Sequence, residues 1–469
     1  MAAPGYTYLT LGEARTELAA RLEDPGYVFW TAPELNDLLA EAVRTWQALT
    51  GTFKQRAEFT ISPNGGIDGS AFYDLRNMPS GILSFFVTDR EIVNIVLACL
   101  LEPPLTPTWT GTGQYAWGQI VYALQNRINR WLTDTGANVT RQIQMVENFG
   151  PTVPRIFLPE GTLDIRRAAW KTAEDPNTNV PADPIAWAGL PRPGGIYTTL
   201  WRDDEFAMQA FLFPGSHQPA DPPIVWGKFV MPPVGIEVYP PPANPGQLET
   251  LVVTSGPQIG TTPAAVFNTP TVLNIPEDFT FGMIFGALSD LFSADGPARD
   301  PDRAVYAESR YQESAELYRM NPTLLQTQIN GVPIWSGSVF AMDTFLASWQ
   351  AESGVPQFAG MADRNLVAFG PTPNAVYSVV MDVVSNIPVP VVDSDFLQVD
   401  RGALNPLIDY AFHLASFKMA GPEFHNTDKL RQNFYLAAAL ENSRLTKANF
   451  YRSALQLPAM RQQAEVPRV

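Results

Sequence analysis

Ile236-Glu-Val-Tyr-Pro-Pro-Pro242 and Leu366-Val-Ala-Phe-Gly-Pro-Thr-Pro373 open two similar stretches of this chain. Each reads as a strand running into a proline-rich turn. After the first come a strand (Leu248–Thr254), a loop, an apolar helix (Phe279–Phe292), the break Asp295-Gly296-Pro297 and a helix opened near Asp300. After the second come a strand (Val376–Val384), expected to pair with Leu366–Phe369, then a loop, an apolar helix (about Gly402–Met419), the break Ala420-Gly421-Pro422 and a helix opened near Asn426. One order of elements, met twice, predicts an internal duplication. The repeat is too long, and its copies too few, for a solenoid.

Helix signals also open the chain. Thr10-x-x-Glu13 and Thr31-x-x-Glu34 are capping boxes, in which threonine oxygen and glutamate each satisfy an orphan amide. Leu11, Ala14, Leu18 and Leu22 follow the first at helical spacing, and Asp24-Pro25-Gly26 stops it. Leu35, Leu38, Leu39, Ala42, Val43, Trp46 and Leu49 form a stripe after the second, with Gly51 as the residue past its end. The two make an αα-hairpin. Ala57–Ser62, a glycine turn and Phe72–Leu75 predict a small β-hairpin. Thr88-x-x-Glu91 opens an apolar helix stopped by Pro103-Pro104. Another helix runs from about Tyr115 to Thr135 with Ile120, Leu124, Ile128 and Trp131 on one face, and Gly136 ends it.

From these pieces the expected fold is α+β. A helical bundle, made of the N-terminal αα-hairpin and C-terminal helix pairs, carries β-rich, proline-rich insertions. Four segments are expected: a helical region with a small β-hairpin (1–137), a β-rich region (138–268), a helix pair plus an irregular excursion over 321–363 (269–365), and a second strand–helix–helix unit (366–469). Its last helix spans about Thr427–Leu455.

Composition bounds the function. The chain has 469 residues, roughly three domains' worth, enough for a large core without disulfides. Cys99 is the single cysteine, so an internal disulfide and a cysteine-pair zinc site are excluded. The histidines are His217, His413 and His425. Proline is abundant, 43 residues against an average of about 5%, which predicts stiff loops and edge strands. The net charge of −16 disfavours adhesive binding to a phosphate backbone, which needs Lys and Arg to release counterions. It suits a surface past which DNA slides. The first residues lack a basic region and an apolar run. The longest apolar stretch, Ile92–Leu101, is far short of the ~20 residues of a membrane span, so no membrane partner is expected.

Few residues point to chemistry. Gly111-Thr-Gly113 with Gly118 lacks the spacing and the βαβ context of a dinucleotide fingerprint. A nucleophile elbow and a paired-histidine metal motif are missing. Asp203-Asp204-Glu205 reads as the start of a short helix carrying Phe206 and Phe211. Asp300, close to Asp302, reads as a helix cap rather than half of a glycosidic carboxylate pair. His413 sits among Tyr410, Phe412, Leu414 and Phe417 and reads as a core histidine; His425 lies at a helix start. The tryptophans read as core and interface anchors rather than a sugar platform. No catalytic, cofactor-binding or metal residue is assigned, and no cofactor is expected.

Several blocks together resemble one family. The opening Leu9-Thr-Leu-Gly-Glu-Ala-Arg15 … Arg21-Leu-x-Asp24 … Trp30-Thr-x-x-Glu34 … Glu41-Ala resembles the N-terminal helical hairpin of tailed-bacteriophage head–tail adaptor (connector) proteins. Leu100-Leu-Glu-Pro-Pro104, Trp109-Thr-Gly-Thr, Ala123-Leu-Gln-Asn-Arg127, Leu200-Trp-Arg-Asp-Asp-Glu-Phe-Ala207 and the Tyr239-Pro-Pro-Pro242 turn are similar to phage structural proteins of this kind. The blocks cover most of residues 9–320.

The resemblance implies a virion protein at the neck that does no catalysis. It implies a homo-oligomeric ring, commonly a dodecamer, docked on the portal protein and meeting tail or nozzle proteins. Double-stranded DNA would pass through the lumen without specific binding. The chain is longer than small adaptors, so attachment of tail fibres is a further expectation. A tail hub, nozzle or fibre-anchoring collar is the alternative within the virion; a glycan-binding or glycan-hydrolysing protein is the alternative of another class. The last helix and tail, about 427–469, are expected to insert against a neighbouring subunit or the portal.

Overall fold

A threonine oxygen and a glutamate fix the first turn of three helices in the computed structural model, which describes residues 9–77, 87–146, 155–172, 183–184, 197–201, 209–211, 235–239, 246–296, 298–320, 324–346, 349–350, 352–385, 387–399, 401–419 and 422–443. Thr10 precedes α1 (Leu11–Arg21), Thr31 precedes α2 (Ala32–Thr50) and Thr88 precedes α3 (Asp89–Cys99). All three form both bonds of the capping box. The remaining helices are α4 (Trp117–Thr135), α5 (Pro263–Asn268), α6 (Thr280–Ser293), α7 (Pro301–Met320), α8 (Val339–Phe345), α9 (Arg401–Phe417), α10 (Pro422–Asn426) and α11 (residues 428–443). With the sheets below, the fold is α+β, as the sequence predicts. Leu11, Leu251, Leu288 and Leu407, one from each of the four expected segments, lie in one apolar cluster.

A seven-stranded sheet runs β1 (Lys54–Ile61), β17 (Tyr377–Val384), β11 (Leu324–Ile329), β12 (Val332–Ser338), β14 (Phe358–Asp363), β15 (Leu366–Gly370) and β2 (Phe72–Asp74). It curls, and its edge strands approach one another: the Tyr73 hydroxyl donates to the Ser62 carbonyl at 3.1 Å and accepts from the Ser62 amide at 3.2 Å. Phe59, Phe369, Val379 and Met381 fill a second, smaller core inside the curl. A four-stranded sheet runs β3 (Val139–Val146), β10 (Gly246–Thr254), β5 (Thr162–Thr172) and β6 (Asp183–Pro184). Another runs β4 (Arg155–Phe157), β9 (Gly235–Tyr239), β7 (Tyr197–Trp201) and β8 (Gln209–Phe211), and β13 (Ser353–Gly354) pairs with β16 (Thr372–Pro373).

Four expectations are corrected. Residues 54–61 and 72–74 are strands but not a hairpin. The loop between them closes on itself, Gly66 and Ser70 being bonded, and all eight residues of β1 pair with β17 instead. The strands at 366–370 and 377–384 likewise do not pair with each other: β15 joins β14 and β2, and β17 joins β1 and β11. The excursion over 321–363 is ordered, with β11, β12, α8 and β14 in it. Asn330 (φ 48°) and Gly331 (φ 80°) turn β11 into β12, the left-handed pair that a tight hairpin demands. Phe211 ends a strand, β8, not a helix. Asp203–Phe206, and the last helix and tail beyond 443, lie outside the described residues.

The opening motifs of the echo are not equivalent in the fold, because β9 lies in a different sheet from β10 whereas β15 shares a sheet with β17, but other parts of the two halves do correspond. Trp46-Gln-Ala-Leu-Thr50-Gly51 ends α2, and Trp131-Leu-Thr-Asp-Thr135-Gly136 ends α4. In both, the threonine hydroxyl donates to the tryptophan carbonyl at 2.7 Å, and the glycine adopts the left-handed cap. A strand follows each, β1 or β3, paired antiparallel with β17 or β10, and a helix pair follows that partner, α9 with α11 or α6 with α7. The outer set of elements thus encloses the inner one along the chain. When Gly296-Pro297 is aligned with Gly421-Pro422, Phe292 matches Phe417, Tyr306 matches Arg431 and Arg310 matches Tyr435. Each matched pair is in contact. The phenylalanine rings are 6.0 Å apart, Arg431 lies 5.4 Å from the Tyr306 ring centroid, and Arg310 donates to the Tyr435 hydroxyl. Contact between matched residues is the mark of self-complementary, two-fold-like packing.

Candidate functional site

Four separated parts of the chain converge on one cleft of about 300 Å³. The end of α4 supplies Thr135 and Gly136, β5 supplies Arg166, the end of α7 supplies Tyr318 and Arg319, and the stretch from α8 to the β14–β15 corner supplies Phe340, Ala362, Asp363 and Arg364.

Two irregularities aim these side chains. In β5, Arg167 faces Leu251 and Ile165 faces Val252, so Arg166 is an extra, unpaired residue. In β14, Met361 faces Val367 and Asp363 faces Leu366, so Ala362 is extra there. Such bulges kink a strand and redirect its side chains, and they gather at functional edges of sheets. Arg166 consequently lies against Gly136: a β-carbon there would come within 1.3 Å of its Nη2. Gly136 is required twice over, by this approach and by its φ of 72°.

Three guanidinium groups face one carboxylate in the cleft. Asp363 is fully engaged: its Oδ1 accepts from the Tyr318 hydroxyl at 2.5 Å and its Oδ2 from the Asn138 amide at 3.0 Å. Burial raises the Asp363 carboxyl above its usual range, against the bonds from Tyr318 and the Arg364 backbone and the charges of Arg364 and Arg166. Burial also pushes the Tyr318 phenol well up, and Asp363 adds to the shift. Arg319 donates twice to the Asp134 carbonyl, at 3.0 and 2.5 Å. Arg364 is 5% exposed and lies over the rings of Phe279 and Tyr318, at 4.7 and 5.1 Å. Among the described residues, Arg166 has no carboxylate within ion-pair distance.

Its neighbour Arg167 points the other way, into a buried network. Arg167 donates to Asp343 at 2.8 and 3.1 Å and to Glu249 at 3.0 Å. Glu249 also accepts from Arg141 and from Gln350. Burial pushes the Glu249 carboxyl up, but Arg141 and Arg167 prevail and hold it below its usual range. The Trp349 indole donates to Asp343 at 2.8 Å. This network ties the smaller sheet to α8 and is a structural device.

The residues singled out from sequence do not assemble into a site. Asp300 caps α7, accepting from the Arg303 amide at 3.1 Å, and Asp302 is exposed on the same helix. His413 is wholly buried between the Tyr306 hydroxyl and the Thr427 hydroxyl, each at 2.8 Å. Burial first, then Arg431 and Arg310, lowers its pKa to about 3, so it stays neutral. His425 belongs to the short helix α10, and His217 lies outside the described residues. Trp131 and Trp349 are core residues, Trp109 and Trp117 pack together at 5.6 Å, and Trp335 stands 78% exposed on β12.

The cleft itself escaped sequence reasoning. The available signal was Arg166-Arg167 inside a strand whose neighbours Leu163 and Ile165 are apolar and buried. Adjacent arginines on a strand point to opposite faces, so both cannot be solvated unless both faces are.

Among the described residues no group of His, Cys, Asp and Glu could hold a metal ion, and no helix is long and apolar enough to cross a membrane. No protein-family model matches the chain, and no curated protein matches it in sequence.

Proposed function

We propose that the protein is a structural subunit of a tailed-phage particle, one of a ring that joins the portal to the tail and lets DNA pass an acidic lumen. No catalysis or cofactor forms part of this reading. The observation that carries it is a set of large exposed apolar side chains in two different parts of the fold. Trp335 on β12 is 78% exposed, with Val332 (64%) on the other face of that strand, and Phe345 on α8 is 77% exposed. On the last helix, Leu436 and Leu440 are 62% and 65% exposed, one helical turn apart. Neighbouring large apolar side chains left in water, such as Leu436 and Leu440, are what assembly surfaces present. Two unlike surfaces on one chain suit head-to-tail association, which closes into a ring when its rotation closes. The charge of −16 supports a lumen that repels DNA and so keeps it from sticking. The sequence blocks similar to head–tail adaptors add to the argument.

Gold-labelled antibody electron microscopy of the phage particles tests the proposal. Label confined to the neck, with ring-shaped oligomers of the purified chain, is the expected result. Label on the tail or its fibres would replace the adaptor with a hub, nozzle or fibre-anchoring collar. A strictly monomeric chain missing from particles would overturn every virion reading.

A further inference from the structure

We infer that the cleft beside Gly136 binds a phosphate-type oxyanion, with Arg166 as its principal ligand and Arg319 and Arg364 completing it. The inference does not depend on the proposed place in a virion. Its first support is charge. The cleft brings together three guanidiniums and one carboxylate, and that carboxylate already accepts from Tyr318 and from the Asn138 amide.

The rival explanation is that the arginines merely neutralise the C-terminal end of α4, which carries about half a negative charge. Arg319 alone does that, through its two bonds to the Asp134 carbonyl. Arg364 is held by aromatic faces. Neither role accounts for Arg166, whose charge acts on Asp363 but which is not ion-paired with it among the described residues.

Geometry supplies the second support. A bulge in β5 inserts Arg166 out of register, and a bulge in β14 does the same at Ala362 on the opposite wall. Both interrupt sheet pairing at the cleft, a cost that a purely structural cation does not require. Gly136 removes the one β-carbon that would displace Arg166. The volume of about 300 Å³ equals roughly ten waters' share of liquid, room for a phosphate group and a little of what it is attached to. The planar guanidinium fork matches phosphate oxygens in geometry and charge. The phosphate could arrive free or as part of a nucleic-acid backbone.

Isothermal titration calorimetry on the full chain decides, first with inorganic phosphate and then with a short DNA duplex. A saturable signal is expected, weakened at least about tenfold in Arg166→Ala and about threefold in Arg319→Gln. Arg299→Ala, a change to a largely exposed side chain next to Asp295, should leave it unchanged. If Arg166→Ala fails to fold, Arg319→Gln carries the test, because that side chain is exposed. Binding of phosphate without duplex assigns the site to a free phosphate compound; duplex binding that Arg166→Ala removes assigns it to a backbone. No saturable signal with either probe, or equal affinity in wild type and in the arginine-cleft variants, overturns the inference.

Discussion

The two matched sets of elements differ in how completely they are wrapped. In the inner set, α7 buries one broad arc, with Arg303, Ala307, Arg310 and Ser314 on one side of it and Ala304, Tyr311, Ala315 and Tyr318 on the other. In the outer set, its counterpart α11 fully buries Phe434 and Ala438 but leaves Leu436 and Leu440 in water. Trp131 at the end of α4 is fully enclosed, with Phe279 and Tyr318 around it and its indole bonded to Ser314. Trp46 at the end of α2 meets Phe434 and stays slightly open. Similar local codes (a helix, a Trp-x-x-x-Thr-Gly end, a strand) therefore yield different burial. What differs is the neighbours each set receives from the rest of the chain.

The largest expected effect tests that contrast directly. Trp131→Ala should cost about 5 kcal/mol, and Trp46→Ala about 3, because a cavity in the wrapped set has less room to relax. Urea unfolding of the two variants measures both. Equal losses would mean that wrapping does not separate the two sets.

A smaller effect concerns charge. Aligning the two tryptophans places Glu41 of α2 opposite Asn126 of α4, an acid against a neutral amide. Glu41 is 6% exposed, with its carboxylate 3.8 Å from the buried Arg310. Burial raises its pKa to about 7, outweighing the attraction of Arg310 and Arg44. A carboxyl whose folded pKa lies above its unfolded value destabilises the fold when ionised. The cost is complete above pH 7 and fades as pH falls toward the unfolded value near 4.5. Glu41→Gln keeps the length of the side chain and gives α2 a neutral amide where α4 already has one. It should raise stability at pH 8 by about 1–2 kcal/mol, with the gain gone by about pH 5. Urea unfolding across that range is the measurement. A loss at pH 8 would show that the ion pair with Arg310 outweighs desolvation and that the two helices differ for a stabilising reason.

What the sequence disclosed of this contrast was its local half. Capping boxes at Thr10, Thr31 and Thr88, the left-handed glycines 51 and 136 and the cap at Asp300 each involve residues within one turn, so reading along the chain finds them. The pairing of β1 with β17 joins residues from opposite ends of the chain, and no short-range pattern encodes it. Asn330-Gly331 was a legible hairpin signal, hidden in a stretch that looked irregular because Pro333 and several polar residues surround it. The cleft was illegible for the same reason as the sheet. Its arginines come from β5, the end of α7 and the β14–β15 corner, and long-range packing, with a bulge redirecting Arg166, brings them together.

The smallest stability effect belongs to the open face of α11 and bears on why it is open. Leu436 and Leu440 are already in water, so replacing both by serine removes little buried area. The expected change in unfolding free energy is within about 0.5 kcal/mol. If these side chains form one side of a head-to-tail contact, the same double variant should lose higher oligomers by light scattering while its urea midpoint stays put. A large loss of stability would show that α11 is as wrapped as α7 and would erase the contrast. Unchanged stability with unchanged assembly would leave the contrast standing and remove this face from the ring contact. The exposed rings of Trp335 and Phe345 would then have to meet a different partner.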